Sequence, residues 1–190
     1  MKNNRRTSWV VLGFALSGCA GGDGGGPATA PTPSRPEVVF EDEVGAIDAK
    51  RLAGRWNCRE LNPFTGRPPA TNTVTYDADG TARSQGLLDL TEQGVPVGGR
   101  MTVNFTYGWR VEGERVVASD IRSEIKAADG NAATGFMAGL TQMAANTFAN
   151  RGKPGTVNVL RLNDRELVMR DTETPQAPLI GCTRAARAAT

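Results

Sequence analysis

The segment 100–110 constrains the fold of this chain more than any other, because apolar and polar residues alternate along it without a break. Alternation with a period of two indicates a β-strand with one buried face and one solvated face. The apolar face carries Met101, Val103, Phe105, Tyr107 and Trp109. In a barrel such a row either lines a ligand cavity or fills the core, and filling is commoner in small barrels.

Short alternating segments separated by turn residues continue over most of the chain after Gly54. Asp77-Ala78-Asp79-Gly80 fits a tight turn that glycine closes. We predict about eight strands, at 54–61, 71–77, 80–90, 100–110, 114–126, 155–162, 165–171 and 178–184. In the fifth strand, Val117, Ile121 and Ile125 are assigned to one face. Such spacing predicts a mainly β fold, as an antiparallel barrel or sandwich.

One inserted helix is predicted at about 131–149, where apolar residues recur at helical spacing. The segment 130–150 contains no charged residue, whereas a surface helix normally has a charged outer face. The helix either packs on the sheet with an outer face that has no binding role, or it serves as a lid or a partner-binding surface. An uncharged face costs little to desolvate. The residues that would carry such a contact are Phe136, Met137, Leu140, Met143 and Phe148.

The N-terminal segment has the parts of an export signal. Basic residues precede a short apolar run at 9–16, and this run is too short to span a bilayer. The run ends in Leu-Ser-Gly-Cys, with Cys19 in the last position. This sequence resembles the lipobox of bacterial lipoproteins. The resemblance implies that residues 1–18 are a signal peptide and that Cys19 becomes the lipidated first residue.

The lipoprotein resemblance also implies a location in the cell envelope. A thioether-linked diacylglyceryl group and an amide-linked acyl chain such as palmitate would anchor Cys19 stably, since more than one chain is buried. Ala20 stands where inner-membrane lipoproteins often carry Asp, so the resemblance implies an outer-membrane protein facing the periplasm. Residues 19–43, rich in Gly and Pro, predict a flexible linker. The folded domain is expected at 44–187.

Composition excludes several classes of function. Removing the three basic residues of the signal leaves 19 basic residues against 20 acidic ones, and no basic run of the kind that binds nucleic acid is present. The chain contains no histidine, which excludes catalytic triads and zinc sites built on that residue. We therefore expect no metal, no cofactor and no catalytic residue, and a protein that is not an enzyme.

Two cysteines, Cys58 and Cys182, remain once Cys19 carries lipid. In an exported chain such a pair indicates one disulfide. The alternatives are two free thiols or a metal pair, although two thiolates alone make a poor zinc site. We prefer the disulfide, which would close most of the domain into a loop worth at most about 4–5 kcal/mol.

The first and last predicted strands resemble those of the lipocalin-like (calycin) barrels. Gly54-Arg55-Trp56 opens the first strand and Arg184 lies in the last. In that family a Gly-x-Trp packs under an arginine from near the chain end and closes one end of the barrel. Independently, an antiparallel pair that sets Cys58 opposite Cys182 also sets Trp56 opposite Arg184, where a cation–π contact can form.

Three hypotheses on function follow. The first is a lipid-anchored envelope adaptor or binding module that presents a β-barrel to a protein partner. The second is a lipocalin-like carrier of a small apolar ligand, and the third is a hydrolase acting in the envelope through a carboxylate pair. An open apolar pocket would favour the carrier, whereas a filled barrel with an exposed uncharged helix face would favour the adaptor.

Overall fold

The computed structural model of the chain describes residues 36, 46–64, 66–92, 99–149, 155–171 and 177–186. Two helices and eight strands lie within these residues. They are, in chain order, α1 (Ala49–Leu52), β1 (Gly54–Glu60), β2 (Thr71–Tyr76), β3 (Thr81–Asp89), β4 (Arg100–Glu112), β5 (Arg115–Ala127), α2 (Ala132–Ala149), β6 (Gly155–Leu162), β7 (Glu166–Asp171) and β8 (Leu179–Arg184).

The strands form a closed barrel in the order β1 to β8, in which each strand pairs antiparallel with the next and β8 pairs with β1. This confirms the predicted mainly β fold and selects the barrel over the sandwich. The predicted strands agree with the observed ones to within two residues at each end. Period-two alternation is strong in them because one face of every strand is turned towards a common core.

The inserted helix begins and ends almost where it was predicted. Asn131 caps it, since its Oδ1 accepts the backbone N–H of Ala133 at 2.9 Å. The short helix α1 was not predicted. It forms because Asp48 caps its first turn, accepting the N–H of Lys50 at 2.9 Å, and because Leu52 is fully buried.

The antiparallel order gives the barrel two distinct ends. β1 begins and β8 ends at one of them, which we call the terminal end, and the tight turns at Gly80, Gly113 and Asp164 lie there too. Ile47, just before α1, donates its N–H to the carbonyl of Gly113 at 3.4 Å. The opposite end carries the connection from β5 to α2, and we call it the helix end.

The assignment of Val117 to the face of Ile121 and Ile125 was wrong. Two residues of β5 stand opposite Tyr107 at an irregularity in the β4–β5 pairing, and Asp120 there has a φ of +52°. Such a bulge reverses the alternation of the strand that contains it. Val116 and Ala118 therefore join the core cluster on the same side as Ile121, and Val117 is buried on the other face.

Candidate functional site

Arg184 and Trp56 close the terminal end of the barrel. They are directly opposite in the β1–β8 pairing, and the guanidinium carbon of Arg184 lies 4.1 Å from the centroid of the Trp56 ring. The guanidinium of Arg184 donates to three backbone carbonyls. Nη1 donates to that of Ala53 at 2.9 Å, Nε to that of Asp164 at 2.8 Å, and Nη2 to that of Arg51. One cation thus joins β1, β8, α1 and the turn between β6 and β7.

Gly54 makes this closure possible. Its φ is +128°, a backbone conformation that residues with a side chain rarely adopt. A Cβ at this position would lie 2.6 Å from the Nη1 of Arg184. Two residues on, the indole N–H of Trp56 donates to the carbonyl of Leu52 at 2.8 Å, so the ring is held flat under the arginine. Gly54 and Trp56 therefore have the arrangement that the resemblance to calycin barrels implies.

The predicted disulfide is confirmed, because Cys58 and Cys182 are bonded across the β1–β8 seam. Both residues belong to the main core cluster and are almost fully buried. The bond lies two positions from the Trp56–Arg184 pair along each strand. The seam that closes the barrel is thus held covalently and by a stacked cation.

The apolar row of β4 belongs to the packed core. Met101, Val103 and Tyr107 are buried, and Phe105 and Trp109 are partly buried against the core clusters. The Trp109 ring meets that of Tyr76 edge-on, with centroids 5.3 Å apart and planes inclined by 73°. This row therefore packs against other core side chains, as expected for a filled barrel.

Both tyrosines of the chain, Tyr76 and Tyr107, lie in this core. The Tyr76 hydroxyl lies 3.9 Å from the sulfur of Met169, and the two tyrosine hydroxyls are hydrogen-bonded to each other. Burial raises the pKa of Tyr76 to about 12 and raises that of Tyr107 well above 10. Neither hydroxyl ionises at neutral pH, so the pair serves to satisfy two buried polar groups.

Helix α2 is fastened to β5 by the side-chain amides of Gln142 and Asn146, the latter accepting from the hydroxyl of Ser123 at 3.3 Å. Gln142 accepts the N–H of Ile125 at 2.6 Å and donates to the carbonyl of Ser123 at 3.0 Å. At the start of the helix, Thr134 is fully buried and donates to Asp129, which also accepts the N–H of Arg100 at 3.0 Å. These contacts fix which side of α2 faces the barrel.

The side of α2 that faces the barrel is made of small or polar residues. Thr134, Ala138 and Thr141 are buried there, at spacings of four and three residues that form one stripe. Met137 is half-buried and packs against the second core cluster. It therefore lies on the inner side of the helix.

The outer side of α2 carries its large apolar residues. Phe136 is 68% exposed, Leu140 45% and Met143 65%, again at spacings of four and three residues. A surface helix of a globular protein normally has the reverse arrangement, with large apolar residues inside and charged ones outside. Periodicity alone could not reveal this, because both stripes of the helix are uncharged.

A groove of about 830 Å³ lies on the outer wall of the barrel. Its lining is mixed and comes mostly from outward positions of several strands. Apolar residues such as Leu61, Leu87 and Val168 stand beside polar ones such as Asn57, Thr73, Gln85, Arg161 and Glu166. Arg161 and Glu166 form an ion pair at 3.4 Å. No local pattern in the sequence marks this groove, because its lining is gathered from seven strands, none of which contributes more than three residues. None of the predicted cavity residues of β4 lines it.

Several predicted sites lie outside the described residues. They are Cys19, the signal peptide at 1–18, most of the linker at 19–43 and the side chain of Phe148. Within the described residues no group of three or more Cys, Asp or Glu side chains is placed to hold a metal ion. No helix of this part of the chain is long and apolar enough to cross a membrane.

No protein-family model matches this chain, and no curated protein is detectably similar to it. Among solved structures, it is similar to a lipocalin-like protein from Bacteroides uniformis, with a TM-score of 0.36 and 13% sequence identity. The match covers 72% of this chain and 99% of the other. A likeness of this size assigns neither a ligand nor a partner, and the barrel and its closure stand on the geometry given above.

Proposed function

We propose that this protein is a lipid-anchored envelope adaptor that binds a partner protein through the outer face of α2 and performs no catalysis. The observation that carries the proposal is the exposed apolar stripe of Phe136, Leu140 and Met143 on a helix without charged residues. Contiguous exposed apolar surface on a soluble domain marks an interaction site. The spacing of the stripe is that of a helix that docks along one face.

The firm attachment of α2 supports this proposal. Gln142 and Thr134 hold the helix against the barrel from the inner side, so the apolar stripe is a fixed feature of the surface. A rigid interface loses little conformational entropy on binding. The partner would need an apolar, uncharged surface of its own, because a charged group placed against Phe136 or Leu140 would lose its hydration without gaining a counter-ion.

The filled barrel supports the adaptor over the carrier. Phe105, Tyr107 and Trp109 of the β4 row pack with Trp56, Tyr76 and Met169 in one core cluster. Met101 and Val103 pack with Leu90, Ile125 and Ala138 in a second. Carriers of small apolar ligands keep an open, largely preformed apolar pocket. The β4 row does not line the groove on the outer wall, whose lining is mixed polar and apolar and includes the Arg161–Glu166 ion pair.

The positions of the two barrel ends fit the same function. The chain enters the barrel at the terminal end, beside Gly113, so a lipid on Cys19 would attach the domain from that end. Helix α2 lies at the opposite end. A domain tethered in this way can direct its apolar helix away from the membrane, towards proteins in the periplasm.

Photo-crosslinking in the native envelope tests the proposal. A photoreactive residue at Phe136 of the full chain should join one discrete protein, and Leu140→Ser should abolish the product. The matched control is the same probe at Leu87, which is 52% exposed on the barrel wall and should give no such product. Equal crosslinking from both positions, or a product containing only a second copy of this chain, would contradict the adaptor.

Two mass measurements complete the test. The mature protein should carry added lipid mass at Cys19, and Cys19→Ala should remove that mass and either release the protein from membranes or block its maturation. A soluble wild-type chain with an unmodified Cys19 would refute the anchor. Native mass spectrometry of the purified protein should show no small ligand, whereas a stoichiometric apolar molecule would favour the carrier.

A further inference from the structure

Four basic side chains surround the closure of the barrel at its terminal end. Lys50, Arg51, Arg55 and Arg165 are all exposed. Two of them lie on α1, one on β1 and one on the turn before β7. Lys50, Arg51 and Arg55 lie within one short segment of the sequence, and Arg165 joins them from far along the chain.

Hydrogen bonds to Arg184 and its neighbour hold these residues together. The guanidinium of Arg184 bonds to the carbonyl of Arg51, and the backbone N–H of Arg184 donates to the carbonyl of Arg165 at 2.9 Å. The backbone N–H of the next residue, Ala185, donates to the backbone carbonyl of Arg55 at 2.8 Å. The four side chains therefore project from one contiguous rim, which we call the basic rim.

The charges of the basic rim are not neutralised within the described residues. No ion pair joins Lys50, Arg51, Arg55 or Arg165 to a carboxylate in this part of the chain. Three other exposed cations of this part are paired: Arg83 with Asp77, Arg110 with Glu112, and Lys126 with Glu124 at 2.6 Å. The exposed Arg59, Arg100, Arg115 and Arg122 have no ion pair within the described residues either. The nearby Asp48 carboxylate is engaged in capping α1. The exposed carboxylates of Asp48 and Asp164 lie on the same rim, so the four cations of the rim outnumber its carboxylates by two.

We propose that the basic rim binds the anionic phospholipid headgroups of the membrane to which the protein is tethered. This inference rests on the lipid-anchored placement proposed above, in which the terminal end is the end nearest the bilayer. Exposed lysines and arginines beside an anionic lipid surface each add to the affinity, and guanidinium groups match phosphate oxygens well. The contact would seat the barrel upright, with the apolar stripe of α2 facing away from the membrane.

Vesicle sedimentation tests the rim without the lipid anchor. The chain without residues 1–18 and with Cys19→Ala is mixed with phosphatidylcholine vesicles that contain or lack phosphatidylglycerol, so that neither a lipid nor the basic and apolar export segment contributes to binding. The rim variant adds Lys50→Gln, Arg51→Gln, Arg55→Gln and Arg165→Gln. The matched control removes the same number of charges elsewhere, through Arg59→Gln, Arg100→Gln, Arg122→Gln and Lys126→Gln, all of which are exposed away from the terminal end.

We expect the rim variant to partition onto the anionic vesicles at least about tenfold more weakly than its parent, and the control to remain within about twofold. The difference should shrink as salt is added, because the charges are exposed. Equal loss in both variants, or no loss in the rim variant, would overturn the proposal. Circular dichroism verifies that both variants are folded. A failure of the anchor itself would appear separately, as a missing lipid mass on Cys19.

Discussion

The guanidinium carbon of Arg184 lies 4.1 Å from the centre of the Trp56 ring, at the one place where the last strand of the barrel meets the first. The same guanidinium satisfies backbone carbonyls on α1, on the residue before β1 and in the turn before β7. Arg184 thus combines a cation–π contact with several charged hydrogen bonds. The seam depends on it more than on any other exposed or half-exposed cation.

Arg184→Ala should lower the free energy of unfolding by about 2–3 kcal/mol, because it removes the stacked cation and leaves carbonyls unsatisfied. Urea denaturation followed by circular dichroism measures this change. The control is Arg122→Ala, an exposed arginine in mid-strand, which should change stability by less than about 0.5 kcal/mol. An equal effect of both substitutions would show that Arg184 contributes only its surface charge.

Gly54→Ala should destabilise the domain more than the same change at Gly113. Both glycines have a positive φ, +128° and +63°, so both substitutions introduce backbone strain of about 1–3 kcal/mol. At Gly54 the new Cβ would also displace the Nη1 of Arg184, whereas at Gly113 nothing lies within 4 Å. Thermal melts of the two variants should rank them in this order. The reverse order would contradict the close packing at the closure.

Replacing both Cys58 and Cys182 by Ala should cost about 2–5 kcal/mol, since the bond spans 124 residues and limits the unfolded chain. The measurement is the denaturation midpoint of the variant against the oxidised wild type. Peptide mapping without reductant should recover the two cysteines in one linked fragment. Two alkylatable thiols in protein taken from the envelope would refute the bridge.

The stability of the barrel should fall as the pH rises above 10. Burial raises the pKa of Tyr76 to about 12 and that of Tyr107 well above 10. The unfolded chain releases these protons from about pH 10 upwards while the folded chain keeps them, so the free energy of unfolding decreases from pH 10 to about pH 12 and beyond.

Tyrosinate absorption follows this titration without ambiguity, because Tyr76 and Tyr107 are the two tyrosines of the chain. Native protein should show no ionisation near pH 10, and protein unfolded in urea should ionise there. Replacing both residues by Phe should flatten the alkaline loss of stability. A native titration at pH 10 would mean that the hydroxyls are reached by solvent.

The strands could be predicted from the sequence because their alternation reports burial directly. The β4 row from Met101 to Trp109 follows the rule without exception. The register at the closure could also be predicted, since the disulfide fixes which residues stand opposite each other. The face of Val117 could not, because the bulge at Asp120 depends on a backbone conformation that the alternation does not encode.

The orientation of α2 and the positions of the surface features lay beyond prediction for a different reason. Helical periodicity marks two uncharged stripes on α2, one of large apolar residues and one of small or polar residues. It does not tell which stripe faces the barrel. The answer depends on Gln142, whose partners Ser123 and Ile125 become its neighbours only after β5 is in place. The basic rim likewise exists only once Arg51, Arg55 and Arg165 have been gathered around the last strand.

The bond between Gln142 and β5 also has a consequence for self-association. β5 runs from Arg115 to Ala127, but its pairing with β6 covers only Arg115–Ala118. Beyond that point its outer edge would offer free peptide groups, the template on which identical chains add strands and build fibrils. The side-chain amide of Gln142 bonds to two of these groups, accepting the N–H of Ile125 and donating to the carbonyl of Ser123. One helical side chain thus occupies two of the positions on this edge at which a strand of another copy would otherwise pair.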